Sequence, residues 1–222
     1  MFSFTREDTT GLAKWWRNID KQILFSIIFL FLLGLFFSFS STSQLVGEKL
    51  NKETYFLFIK HFIFAIVAII LLFVISFQSE KKIEKFLLPF FLISFLFLFL
   101  VPFFGVEIKG SKRWLNLFFL PQFQPVEIVK PLFILLVAKI IVSDNNVNGY
   151  LKYLLSLTIL TLIVFLLVSQ PDIGQTLLII SSWIVMIFVS GINIFVLVLT
   201  GVLSVVILGL VIYFFPIKFG YI

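Results

Sequence analysis

The sequence predicts an all-α, polytopic membrane protein, a bundle of about seven transmembrane helices. Three observations carry that prediction: a mean hydropathy of +1.17, an apolar content of 61% with 18% aromatics, and a series of apolar runs each long enough to cross a bilayer. Lipid offers no partner to an exposed backbone N–H or C=O, so a run of roughly 20 apolar residues crosses a hydrocarbon core as a helix.

The elements follow in order. Residues 1–22 are polar and mixed in charge, lack the basic-then-apolar layout of a cleavable signal peptide, and are expected to form a cytoplasmic N-terminal tail. Residues 23–222 then form the transmembrane domain, with expected spans at Ile23–Phe39, Tyr55–Phe77, Phe86–Phe104, Val126–Val142, Tyr150–Val168, Ile173–Val189 and Ile192–Phe215. All connections are short except Ser40–Thr54 and Gly105–Pro125, which are the places where structure outside the membrane can be built. Lysine and arginine divide almost evenly between the two sides. The tail decides the orientation, because Arg6, Lys14, Arg17 and Lys21 precede the first span and so hold the N-terminus inside. The two long loops and the connection Ser169–Asp172 then share the outer face.

Composition also excludes functions. With no Cys and one His the chain has no disulfide and no thiolate or imidazole metal site; carboxylates leave a hard cation such as magnesium open, although no cofactor is evident. The net charge of +6 comes from basic residues in short connections, where anionic headgroups are the ordinary partner, so membrane lipids are expected and nucleic acid is not. No Gly-rich phosphate loop, Rossmann fingerprint or nucleophile elbow is present, so no nucleotide is bound in a recognised way.

Residues that can carry chemistry gather on the expected outer face. Glu127 and Lys130 lie three apart on one helix face and can pair, and burying either alone near mid-bilayer would cost about 2.5–3.5 kcal/mol. Arginine occurs only at positions 6, 17 and 113 among seventeen Lys and Arg, so Arg113 is an informative choice. Its planar guanidinium grips phosphate or carboxylate with two bonds, and Trp114 beside it is a natural interfacial anchor. Gln124-Pro125-Val126-Glu127 and Gln170-Pro171-Asp172 each open an apolar helix, where proline suits the first helical position and a carboxylate complements the helix dipole. Asp172 can cap its helix, pair with Lys130 or Arg113, or hold a cation. His61, beside Lys60, reads as a polar collar and is left out of the site. A basic loop on the outer face, with no nucleotide to draw on, fits a preactivated substrate such as the pyrophosphate of a lipid-linked sugar.

These motifs resemble those of the SEDS family (shape, elongation, division and sporulation). Gly110-Ser111-Lys112-Arg113-Trp114, then Gln124-Pro125-Val126-Glu127-Ile128-Val129-Lys130, is similar to Gly-Ala-x-Arg-Trp … Gln-Pro-Ser-Glu-x-x-Lys. Gln170-Pro171-Asp172-Ile173-Gly174 is similar to the family's Gln-Pro-Asp-Leu-Gly. Trp15-Trp16-Arg17-Asn18-Ile19-Asp20 and Pro131 favour the FtsW-like division branch over the RodA-like elongation branch, and Val126 departs from the usual Ser.

The resemblance implies a ten-span fold in the bacterial cytoplasmic (inner) membrane and a peptidoglycan glycosyltransferase that polymerises lipid II during cell division. In that reaction a sugar 4-hydroxyl attacks the anomeric carbon of a second lipid II, and polyprenyl pyrophosphate leaves with inversion. It further implies a class B penicillin-binding transpeptidase and other division proteins as partners. Arg113, Trp114, Gln124, Glu127, Lys130 and Asp172 would bind substrate. The family's catalytic Asp belongs to an outer loop between its seventh and eighth spans, beyond Ile222. The catalytic residue is therefore unassigned, and this polypeptide alone is expected to be inactive. A lipid II flippase and a non-catalytic lipid-binding scaffold of the division complex are the alternatives.

Overall fold

The computed structural model describes residues 10–41, 55–108, 110–116, 122–143, 148–191 and 201–203, with 206 and 209. They fall in two compact units, residues 1–80 and 81–222.

The first unit holds α1 (Gly11–Asn18), α2 (Lys21–Ser41) and α3 (Phe56–Ser76). The short helix α1, inside the segment expected to be a plain polar tail, has a physical cause. Its Thr10 hydroxyl accepts from the Ala13 N–H, and Ala13 is buried. Trp15 fixes the helix to the end of α3: its indole N–H donates to the Ser76 hydroxyl at 2.8 Å, and its ring stacks on Phe77 with centroids 4.8 Å apart. Asp20 then caps α2, its carboxylate accepting from the N–H groups of Gln22 and Ile23 at 2.9 and 3.1 Å. Further along, Gly34 lies beside His61, whose ring stands 3.7–4.0 Å from where a Cβ on the glycine would be, an ordinary contact distance.

The second unit contains α4 (Glu80–Phe104, from its second residue), the hairpin strands β1 (Val106–Ile108) and β2 (Ser111–Trp114), α5 (Pro125–Val142), α6 (Gly149–Ser169) and α7 (Ile173–Val189). Helix α4 starts before the apolar run beginning at Phe86, and its first turns carry Glu80, Lys81, Lys82, Glu84 and Lys85. The strands pair antiparallel, with Val106 opposite Trp114, Glu107 opposite Lys112 and Ile108 opposite Ser111. Gly110, at φ +79°, makes the turn. Gly105 leads in from α4 where any Cβ would strike the Val101 carbonyl and press on the Lys112 side chain, so only glycine lets β2 pass this close. The expected connection Gly105–Pro125 begins with this hairpin, and its residues 117–121 lie outside the described residues.

The core lies among α4–α7, centred on Phe133, Trp183, Leu160, Ile163 and Leu167, all essentially without exposed surface. Trp183 finds a partner for its N–H in the Ser156 hydroxyl at 3.1 Å, and that hydroxyl donates to the Tyr153 carbonyl at 2.8 Å. Large apolar side chains elsewhere on α2, α3 and α4 face outward, as they do when lipid is the solvent.

Among the described residues α2, α3, α4 and α6 are long and apolar enough to cross a membrane. Helix α7 is apolar but 17 residues long, and the 18-residue α5 carries Glu127, Lys130 and Lys139. The expected seventh span, Ile192–Phe215, lies largely outside the described residues, of which 201–203 are helical. The expected loop Ser40–Thr54 lies outside them too, apart from the end of α2.

Candidate functional site

Two helix starts build the site. Gln124 is the N-cap of α5, and Pro125 occupies its first turn, where a missing N–H costs nothing. Asp172 is the N-cap of α7; the helix proper begins at Ile173, so Pro171 precedes the cap and does not take the first helical position expected for it. The two caps meet, Gln124 Nε2 donating to Asp172 Oδ2 at 2.9 Å. Asp172 is 5% exposed, and a carboxylate so buried must be paired. Arg113, reaching in from β2, supplies the charge: Nη1 lies 3.7 Å from Asp172 Oδ1, and Nη2 donates to the Pro171 carbonyl at 2.6 Å. The Nε–H of Arg113 is buried and has no partner among the described residues.

A second cluster lies one turn into the same helices. Lys130 Nζ sits 2.8 Å from Glu127 Oε2 and donates to Gln175 Oε1 at 2.7 Å; Gln175 Nε2 returns a bond to Glu127 Oε1 at 3.0 Å. Three side chains thus close a ring across α5 and α7. Sequence reasoning missed Gln175. Its signal was available: it stands three residues after Asp172, as Glu127 stands three after Gln124, so both lie on the same faces of their helices.

The structure joins Arg113, Gln124 and Asp172 in one cluster and Glu127 with Lys130 in the other. Trp114 is not brought in. Consecutive strand residues point to opposite faces, so it stands across the hairpin from Arg113. Val126, where the family pattern has a hydroxyl, is 1% exposed and packs in the core. An apolar side chain suits that position without any loss to the polar network.

The formal charges cancel, Arg113 and Lys130 against Glu127 and Asp172. The balance is tipped by two helix N-termini ending side by side, each carrying about half a positive charge on its unpaired N–H groups. The site is therefore suited to an anion. Among the described residues no group of three Asp, Glu or His is assembled, and Glu127 and Asp172 accept hydrogen bonds from side chains.

A model of the FtsW/RodA/SpoVE family of cell cycle proteins matches residues 21–219. The chain belongs to this family. Among curated proteins it is 30% identical over 178 residues to the probable peptidoglycan glycosyltransferase FtsW of Caulobacter vibrioides, covering 80% of this chain and 45% of that one. Its likeness to the protein of the same description from Escherichia coli O6:H1 is 25% identity over 190 residues, covering 83% and 44%. Among solved structures it is similar to the rod shape determining protein RodA of Thermus thermophilus, at 26% identity and TM-score 0.66, over 85% of this chain and 60% of that one. It is also similar to a chain of a peptidoglycan synthase complex that coordinates polymerization and crosslinking, at 28% identity and TM-score 0.58, covering 79% and 52%. The chain spans about half the length of the curated relatives it matches. Family and apolar helices together make it a multi-pass membrane protein.

Proposed function

We propose that this protein acts in peptidoglycan polymerisation as an FtsW-like glycosyltransferase of the bacterial inner membrane, with its N-terminus in the cytoplasm. In this reading its described residues form the part of the site that binds the pyrophosphate of lipid II. The observation that carries the reading is the pair of clusters at the joined starts of α5 and α7, where an arginine with an unmet Nε–H meets the start of α7 and a lysine lies about one turn further in. Arg113 would offer the bidentate grip that phosphate oxygens favour, and Lys130 a mobile point charge. Gln124, Glu127, Asp172 and Gln175 hold these two cations in place. The polyprenyl tail would lie along the outward apolar faces of the spans.

Binding the leaving group in this way favours the transfer. As the acceptor 4-hydroxyl attacks the anomeric carbon and the bond to the pyrophosphate oxygen breaks, negative charge grows on that pyrophosphate, next to the two cations. The proton of the hydroxyl must go to a base. Both carboxylates of the clusters are engaged in pairs, so neither is assigned that role. The names of the relatives support the activity, and the complex that coordinates polymerization with crosslinking supports a penicillin-binding transpeptidase as partner.

The test belongs in cells, with Arg113→Ala or Lys130→Ala introduced at the chromosomal locus. Septal incorporation of a fluorescent D-amino acid is expected to fall severely, at unchanged protein level, because loss of one charge-stabilising donor costs about 100-fold or more in rate. Normal division and incorporation in both variants would refute the site. Lipid II movement across proteoliposomes without glycan polymer would favour a flippase instead.

A further inference from the structure

Pro102 lies inside α4 and has no N–H, so the carbonyl four residues earlier, that of Leu98, loses its helical donor. Leu98 has no exposed surface, and an orphaned buried carbonyl is costly. The missing bond comes from another helix: Gln170, 3% exposed at the C-cap of α6, donates its side-chain Nε2–H to the Leu98 carbonyl at 3.3 Å. The same short turn is closed by the Gln170 and Asp172 N–H groups, both donating to the Leu167 carbonyl at 3.1 Å. Its next two residues supply the partners of Arg113, namely the Pro171 carbonyl and the Asp172 carboxylate.

We propose that Gln170 is a positioning residue: its amide replaces the donor that Pro102 cannot provide, and so clamps the turn carrying Pro171 and Asp172 to the proline break in α4. Arg113 arrives at that turn on β2, the second strand of the hairpin that follows α4, so both partners of the Arg113 contact depend on one register. The inference rests on the pyrophosphate-binding reading for its functional consequence and on geometry alone for the clamp.

The isosteric variant Gln170→Met removes the donor while keeping the bulk. It is compared with Pro102→Ala, which restores an N–H to α4, and with the double variant. The readouts are thermal unfolding of the detergent-solubilised protein and its affinity for undecaprenyl pyrophosphate. The proposal expects Gln170→Met to unfold at lower temperature and to bind about tenfold more weakly. Adding Pro102→Ala should recover most of both losses. Equal impairment of the single and double variants would overturn it, as would unchanged affinity in Gln170→Met. Should the wild-type protein not bind the probe, the functional reading fails and the positioning role with it, while recovery of unfolding temperature would still identify the clamp.

Discussion

At the scale of single residues, the site works by pairing charges that could not be buried alone. Asp172 is the clearest case, holding Gln124 on one oxygen and facing Arg113 with the other. Asp172→Ala should take from Gln124 its acceptor and from Arg113 its counter-charge, and destabilise the protein by about 1–3 kcal/mol, read as a lower unfolding temperature in detergent. Asp172→Asn, which keeps an acceptor, should cost less. The ring of Glu127, Lys130 and Gln175 predicts non-additivity. Each member serves the other two, so Lys130→Ala and Gln175→Ala combined should cost less than their sum, with a coupling of about 0.5–3 kcal/mol. The pair Glu127–Lys130 was legible from its spacing, because three residues on a helix fix a common face. Gln175 was harder to see. An uncharged amide in an apolar helix carries no cost large enough to demand a partner, so its spacing from Asp172 marked a helix face but not the partners it finds on α5.

At the scale of elements, apolar length was legible and the devices between helices were not. The run beginning at Phe86 belongs to α4, yet the helix starts at Glu80 because charged residues continue a helix into water without penalty. The short α1 does not stand out in the sequence: its eight residues contain too little apolar surface to stand alone, and it exists because Trp15 docks on Ser76 and Phe77. Trp15→Phe should keep the stacking and lose the hydrogen bond, loosening α1 by about 1 kcal/mol, seen as faster hydrogen exchange over residues 11–18. Gly105 marks the sharpest demand of the α4–β1 junction. Gly105→Ala places a Cβ against the Val101 carbonyl, so the hairpin must shift, at a cost of about 1–3 kcal/mol in unfolding experiments. That shift would also move Arg113 away from Pro171.

At the scale of the whole molecule, the solvent explains most of what composition showed. A chain with 61% apolar residues turns many of them outward, and four described helices have the length and apolarity to span a bilayer. Fold class and the two motifs were legible because each depends on local pattern, hydropathy in one case and a few polar residues at helix starts in the other. The meeting of the two starts was not legible, since it requires the packing of α5 against α7 and the reach of the hairpin from α4. This meeting point is where pyrophosphate is proposed to bind. The measurement that tests it most directly is the affinity of the nanodisc-embedded protein for lipid II, with undecaprenyl pyrophosphate and undecaprenol as competitors. Displacement by the pyrophosphate but not by the alcohol is expected, with affinity at least tenfold weaker in Arg113→Ala and in Lys130→Ala. Equal competition by undecaprenol, or wild-type affinity in both variants, would contradict it.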